Sequence, residues 1–169
     1  MSTLTKTLLF FAFLICQSCG DDLFNYGSYE SIPSCSNGTV NISNTSRAGA
    51  LNQSETWSGL ITITGDVLIG ENCTLTIEPG TEIRFSANSD STNHGFNTPI
   101  TDPHFPNDPS TKPSEFSGIE LWGGSLVSVG TIAQPILYTS DASNKVAGDW
   151  HSIALRKEGS KLNMEQSTI

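Results

Sequence analysis

The stretch WSGLITITGDVLIGENCTLTIEPGTEIRF, running from Trp57 to Phe85, decides the fold. Ile61 and Ile63, Val67 and Ile69, Leu75 and Ile77, and Ile83 and Phe85 each stand two apart. That is the period at which side chains of a β-strand return to the same face. Gly65-Asp66, Gly70-Glu71-Asn72 and Pro79-Gly80 separate the pairs with turn-forming residues. Bursts this short and this closely spaced do not suit an ordinary sandwich, although an antiparallel sandwich is the alternative architecture.

The pattern recurs downstream in GIELWGGSLVSVGTIAQPILYTS, from Gly118 to Ser140, and again in DWHSIALRKEGSKLNM, from Asp149 to Met164. Ile119/Leu121 answers to Ile153/Leu155 at an offset of 34, and Val67/Ile69 precedes it by 52. Leu75/Ile77 answers to Leu126, followed by Val127 and Val129, and to Leu162/Met164. Pro79-Gly80-Thr81 with Ile83/Phe85 answers to Gln134-Pro135 with Ile136/Tyr138. A degenerate repeat of short strands predicts a solenoid, in which each coil buries its apolar face only against its neighbours.

The segments LTIEPGTEIRF, GGSLVSVGTIAQPILYTS and GDWHSI resemble coils of right-handed parallel β-helix proteins with the pectin-lyase-like fold. The resemblance spans about residues 57–169 and implies an all-β solenoid of about three N-terminal coils. Residues 86–117 form one long loop insertion between the first two coils. The chain ends at Thr168-Ile169 in what reads as the middle of a coil, so it is expected to be the N-terminal part of a longer protein. This fold serves lyases, hydrolases, adhesins and passive surface proteins alike, so the resemblance implies architecture and not activity.

Ahead of the coils, Leu8 to Ile15 read LLFFAFLI behind Lys6. Such a run is too short to span a bilayer, which takes about 20 apolar residues, and it suits the apolar region of a secretory signal. Ser18-Cys19-Gly20-Asp21-Asp22 follows, a cysteine behind a small residue, which resembles the lipobox of bacterial lipoproteins. Cys19 fits better than Cys16, which follows Ile15; the family prefers Leu where Cys16 stands. Residues 1–18 then read as a signal peptide, with acylated Cys19 anchoring the chain to the bacterial outer membrane at the cell surface. Secretion without a lipid is the alternative. Residues 19–56, rich in Ser, Asn and Gly, read as a tether and irregular segment with one weak strand around Thr39 to Ile42. With Cys16 removed and Cys19 acylated, Cys35 and Cys73 remain, 38 residues apart, to pair in an oxidising compartment or to stay as separate thiols.

Composition narrows the function. Ser and Thr make up 41 of the 169 residues and charged residues 15%, which disfavours helical bundles. Asp and Glu number 17 against 8 Lys and Arg, the wrong balance for a nucleic-acid partner. The resemblance to pectate-lyase-like enzymes puts forward Glu82, Arg84, Glu120, Asp149 and Arg156 as acids for Ca²⁺ and a basic residue. Outward polar residues are also what any solvated strand face carries, and no catalytic residue is assigned. Asp90, His94, Asp102, His104 and Asp108 in the insertion match no metal-loop spacing, so no metal or cofactor is expected unless the lyase alternative holds. His151 after Trp150 reads as structural. Five Asn-x-Ser/Thr sequons, at Asn37, Asn41, Asn44, Asn52 and Asn72, barely exceed chance.

The outward strand positions Thr76, Glu78, Glu82, Arg84, Glu120 and Ser128 offer no aromatic platform for a sugar. The insertion does hold aromatics, Phe96, Phe105 and Phe116, beside Asn93, Asn97 and Asn107, and is the candidate ligand loop. The sequence therefore points to a lipid-anchored surface module for binding or scaffolding, with polysaccharide as the implied partner. The alternative is the N-terminal part of a β-helix polysaccharide lyase or glycoside hydrolase.

Overall fold

The computed structural model describes residues 32–92 and 116–169, and every strand pairing in them is parallel. The strands are β1 (Ser36–Ala50), β2 (Gln53–Ile69), β3 (Thr74–Ile77), β4 (Glu82–Phe85) and β5 (Ile119–Leu121). They continue with β6 (Ser125–Val129), β7 (Ile136–Ser140), β8 (Ile153–Leu155), β9 (Lys161–Glu165) and β10 (Ser167–Thr168). No helix occurs among the described residues, and so none long and apolar enough to cross a membrane.

Three ladders result. The first stacks Val40–Ile42 of β1, Glu55–Trp57 of β2, β3, β6 and β9. A second stacks Thr45–Arg47, Leu60–Ile63, β4 and β7, with β10 beside Ile136 and Leu137. The third stacks Gly49–Ala50, Val67–Ile69, β5 and β8. Parallel neighbours cannot be joined by a hairpin, and here the rest of each turn serves as the crossover. The result is an all-β, all-parallel, solenoid-like sheet, which excludes the antiparallel sandwich.

Alternation sends every second side chain inward, and stacked turns align those residues in columns. Val67 lies under Ile119 and Ile153, as the offsets of 52 and 34 require, and Leu75 lies under Leu126 and Leu162. Trp57, Ile61, Ile63, Ile69, Leu75, Ile83, Phe85, Ile119, Leu121 and Leu126 are fully buried in this interior. Each such aliphatic side chain contributes roughly 1.5–3 kcal/mol by leaving water.

The structure corrects three expectations. Ile83 pairs with Tyr138 and Phe85 with Ser140, two residues along from the expected Ile136/Tyr138 alignment. A slip of two keeps inward residues inward. Ile136 is buried at the preceding corner, where Leu137 N donates to Thr81 O at 3.0 Å, and Phe85 stacks on Trp150 with ring centroids 4.1 Å apart. Ser128 is not outward: it lies in the Ile77–Met164 column, fully buried, and accepts a 2.8 Å hydrogen bond from Tyr138 Oη. Val127 and Val129 take the outer positions instead.

The third correction concerns β1, which extends the weak strand at Thr39–Ile42 to Ser36–Ala50 and places it as a further turn under β2. Few of its residues are apolar, so pairing with β2 and not local preference makes it a strand. Its inward Arg47 bonds to Glu55, whose other oxygen accepts Trp57 Nε1–H at 2.6 Å. Glu55 is only 2% exposed while the Arg47 side chain keeps 29% of its surface, so a half-buried ion pair and an indole close the first end of the apolar interior. Asn44, with φ of 48°, supplies its Oδ1 to Leu60 N at 3.0 Å and holds the bend. Cys35 and Cys73 form a disulfide that ties the entry of β1 to the β2–β3 corner.

Candidate functional site

The outer side of the third ladder carries the densest chemistry. Glu120 stands outward on β5 between Leu68 and Ala154, yet it is only 4% exposed. Arg156, placed just past β8 by a bond from its own N to Leu121 O, donates to Glu120 Oε1 through Nη2 at 2.8 Å and Nε at 3.1 Å. The other oxygen, Oε2, accepts from Trp122 Nε1 at 3.0 Å. Charge-assisted bonds of this kind fix a carboxylate's orientation and not merely its position.

Beside them lies Asp66, also 4% exposed, at the corner entering the third segment of β2. Its Oδ1 accepts from Gly118 N at 2.8 Å. Burial, then the neighbouring charges of Asp90 and Glu120, push its carboxyl up to about 8, against the pull of the Gly118 amide and Arg156. Asp66 is therefore largely in the acid form near neutrality. His151, whose Nδ1 lies 2.6 Å from Ser152 Oγ, is moved the other way. Burial and then the Arg156 charge lower its pKa, with Glu120 opposing.

The face thus presents the exposed His151 imidazole, disfavoured as a cation, above an ion pair braced by an indole and a neutral carboxylic acid that are themselves buried. A cavity of about 610 Å³ shares His151 with it and opens at the last turn of the interior, lined by Tyr138, Lys145, Asp149, Trp150, His151 and Ile153 among others. Half-buried Trp150 gives that cavity an aromatic wall with one indole face, the other being stacked on Phe85.

Of the lyase-type candidates, the fold brings Glu120 and Arg156 together and leaves the others elsewhere. Glu82 and Arg84 pair with each other at 2.7 Å on the second ladder, where both are solvated. Asp149 is buried and shapes a turn by accepting from Val146 N at 3.1 Å. Among the described residues no group of three or more His, Cys, Asp or Glu is arranged to hold a metal ion. Asp90 is engaged with Thr92, through bonds of 2.9 Å from N and 2.6 Å from Oγ1. Cys19, His94, Asp102, His104 and Asp108 lie outside the described residues, as do Phe96, Phe105, Asn93, Asn97 and Asn107; Phe116 is described and half-buried. All five sequon asparagines are exposed.

Asp66 and Trp122 carried no sequence signal. Gly65-Asp66 reads as a turn, and nothing local reveals that residues 90–92 and 118 close over it. Compared with family models, with curated proteins and with solved structures, the chain has no significant match.

Proposed function

We propose that this chain is a cell-surface binding module: a right-handed parallel β-helix, anchored to the bacterial outer membrane through acylated Cys19, that holds polysaccharide on its third ladder. The observation that carries the proposal is the convergence of Glu120, Arg156, Trp122 and His151 on one face beside the Trp150-walled cavity. Sugars are held by an aromatic face under the ring and oriented polar groups at its rim, and both occur here. The repeated stacking, the apolar run at Leu8–Ile15 and the Ser18-Cys19 junction support the fold and the anchor.

Binding without cleavage is favoured because Arg156 is held by two bonds to one carboxylate oxygen and is not presented as a base. The insertion residues Phe96, Phe105, Phe116, Asn93, Asn97 and Asn107 belong to the same proposal as the candidate ligand loop. A glycan array tests it with the wild type, Trp150→Ala, His151→Ala and a Gly/Ser replacement of residues 93–115. Loss of signal in the point variants places the ligand on the third ladder, and loss only in the replacement places it on the insertion. No binding by the wild type refutes the polysaccharide reading.

A further inference from the structure

The excursion that leaves the second ladder after Phe85 returns to the third ladder at Ile119, and both of its feet meet the same short corner, Thr64-Gly65-Asp66. On the near foot, Ser91 N donates to Thr64 O at 2.8 Å. Asp66 N donates to Thr92 Oγ1 at 3.0 Å and to Asp90 Oδ1 at 3.3 Å. On the far foot, Gly118 N donates to Asp66 Oδ1 at 2.8 Å and Val67 N donates to Gly118 O at 2.9 Å. The packing is close: a Cβ at Gly65 would stand 2.8 Å from both Ser91 Oγ and Thr92 Cγ2. Asp66 thus bonds to both feet, through its backbone N to the near one and through its carboxyl oxygen to the far one.

The charges around it are unbalanced. Asp90 faces Asp66 from the near foot, Glu120 from β5, and Arg156 from beyond β8. Arg156 is bonded to Glu120, and His151, beside that pair, is disfavoured as a cation. Asp90 accepts all its bonds on Oδ1, while its Oδ2 is buried with no hydrogen-bond partner. Two ionised carboxylates sharing a desolvated site repel, and such a site retains a proton.

We infer that the Asp66 carboxyl is a proton-operated clasp, which joins the two feet of the excursion while it is protonated and loosens when it releases that proton to solvent. The inference stands apart from any glycan binding, because it uses only the bonds at the corner. Its sign follows from linkage. The clasped carboxyl titrates at about 8 and the released one near the ordinary aspartate range, so opening becomes easier as pH rises between those values and levels off above the higher.

The test is ¹H–¹⁵N NMR on the exported chain across pH 5 to 9. The Gly118 amide resonance titrates with a midpoint about 8. Protection of the Ser91 and Gly118 amides, corrected for intrinsic exchange, falls by up to about a hundredfold between pH 6 and 8, a tenfold change for each pH unit. Asp66→Asn, which keeps an acceptor for Gly118 N–H, removes both effects; Asp90→Asn lowers the midpoint. A Gly118 amide that stays flat or titrates near pH 4, or a loss of protection that persists in Asp66→Asn, overturns the clasp. If Asp66→Asn does not fold, Asp90→Asn decides alone, since an unchanged midpoint shows that the charges at the corner do not hold the proton on Asp66.

Discussion

Opening the Cys35–Cys73 disulfide should unfasten the first turn of the solenoid before the rest. The bond closes a sequence separation of 38 that contains the whole of β1 and β2. A loop of that size should contribute about 4 kcal/mol by restricting the unfolded chain. The effect is local as well as global, because stacked turns draw their stability from their nearest neighbours. β1 has few apolar inward residues, so its attachment depends on the β2 pairing, the Arg47–Glu55 pair and this covalent tie. Trp57 reports on that end, being fully buried with its indole N–H on Glu55. Reduction by dithiothreitol, or the double change Cys35→Ala and Cys73→Ala, should lower the urea midpoint by about 2–3 M for a slope near 1.5 kcal/mol/M. In a Trp122→Phe, Trp150→Phe background, Trp57 emission should shift at lower urea than the far-UV β signal. Coincident transitions, with a reduced midpoint within about 0.3 M of the oxidised one, would refute the reasoning, since they would mean that closing this loop restricts nothing the native state needs.

Other expectations follow from single sites. Because the Asp66 pKa is raised to about 8 in the folded chain, its contribution is present in full below the ordinary aspartate range and is lost as pH climbs to that value. Chemical denaturation should therefore show stability declining by up to about 1.4 kcal/mol per pH unit through that window, and Asp66→Asn should flatten the decline. Gly124→Ala would bring a Cβ to 2.4 Å from Gly70 O and 2.6 Å from Ile69 Cγ2, where stacked corners touch. A loss of about 3 kcal/mol or more in thermal unfolding is expected, and a neutral result would show that the corners can separate. Glu55→Ala strands the buried Trp57 indole N–H and leaves the partly exposed Arg47 unpaired, and should cost about 1–3 kcal/mol, recovered in part by adding Arg47→Met. Arg156→Ala leaves Glu120 buried and unpaired and should lower the melting temperature clearly, whereas Arg84→Ala, in a solvated pair, should leave it unchanged.

How much of this was legible varies by residue. The columns Val67–Ile119–Ile153 and Leu75–Leu126–Leu162 could be read directly, because an apolar pair two apart, bounded by glycine and proline, has the same meaning in every turn. The β4–β7 register was read two residues out, since Ile136 and Tyr138 both satisfy the alternation and only packing at the Thr81 corner selects between them. Ser128 reads as outward because a serine signals solvent locally, while the Tyr138 hydroxyl gives it a partner inside. The resemblance to pectate-lyase-like enzymes puts Glu120 and Arg156 forward among five candidates, but 36 residues separate them, and no local pattern marks them as a pair.

By itself, then, the sequence determined most of the apolar residues that face inward and that their spacing repeats; these follow from periodicity and turn chemistry, which act over a few neighbours, whereas the bursts at Ile61/Ile63 and Val67/Ile69 join into the single 17-residue β2. Only the tertiary structure decided that all the ladders are parallel, that β1 joins them as the closing turn, and that Asp66 is buried between the two feet of the excursion. Those outcomes depend on contacts between residues 16 to 52 apart along the chain. There the geometry of stacking, and not the preference of any one residue, sets which groups lose water and which charges must share a site.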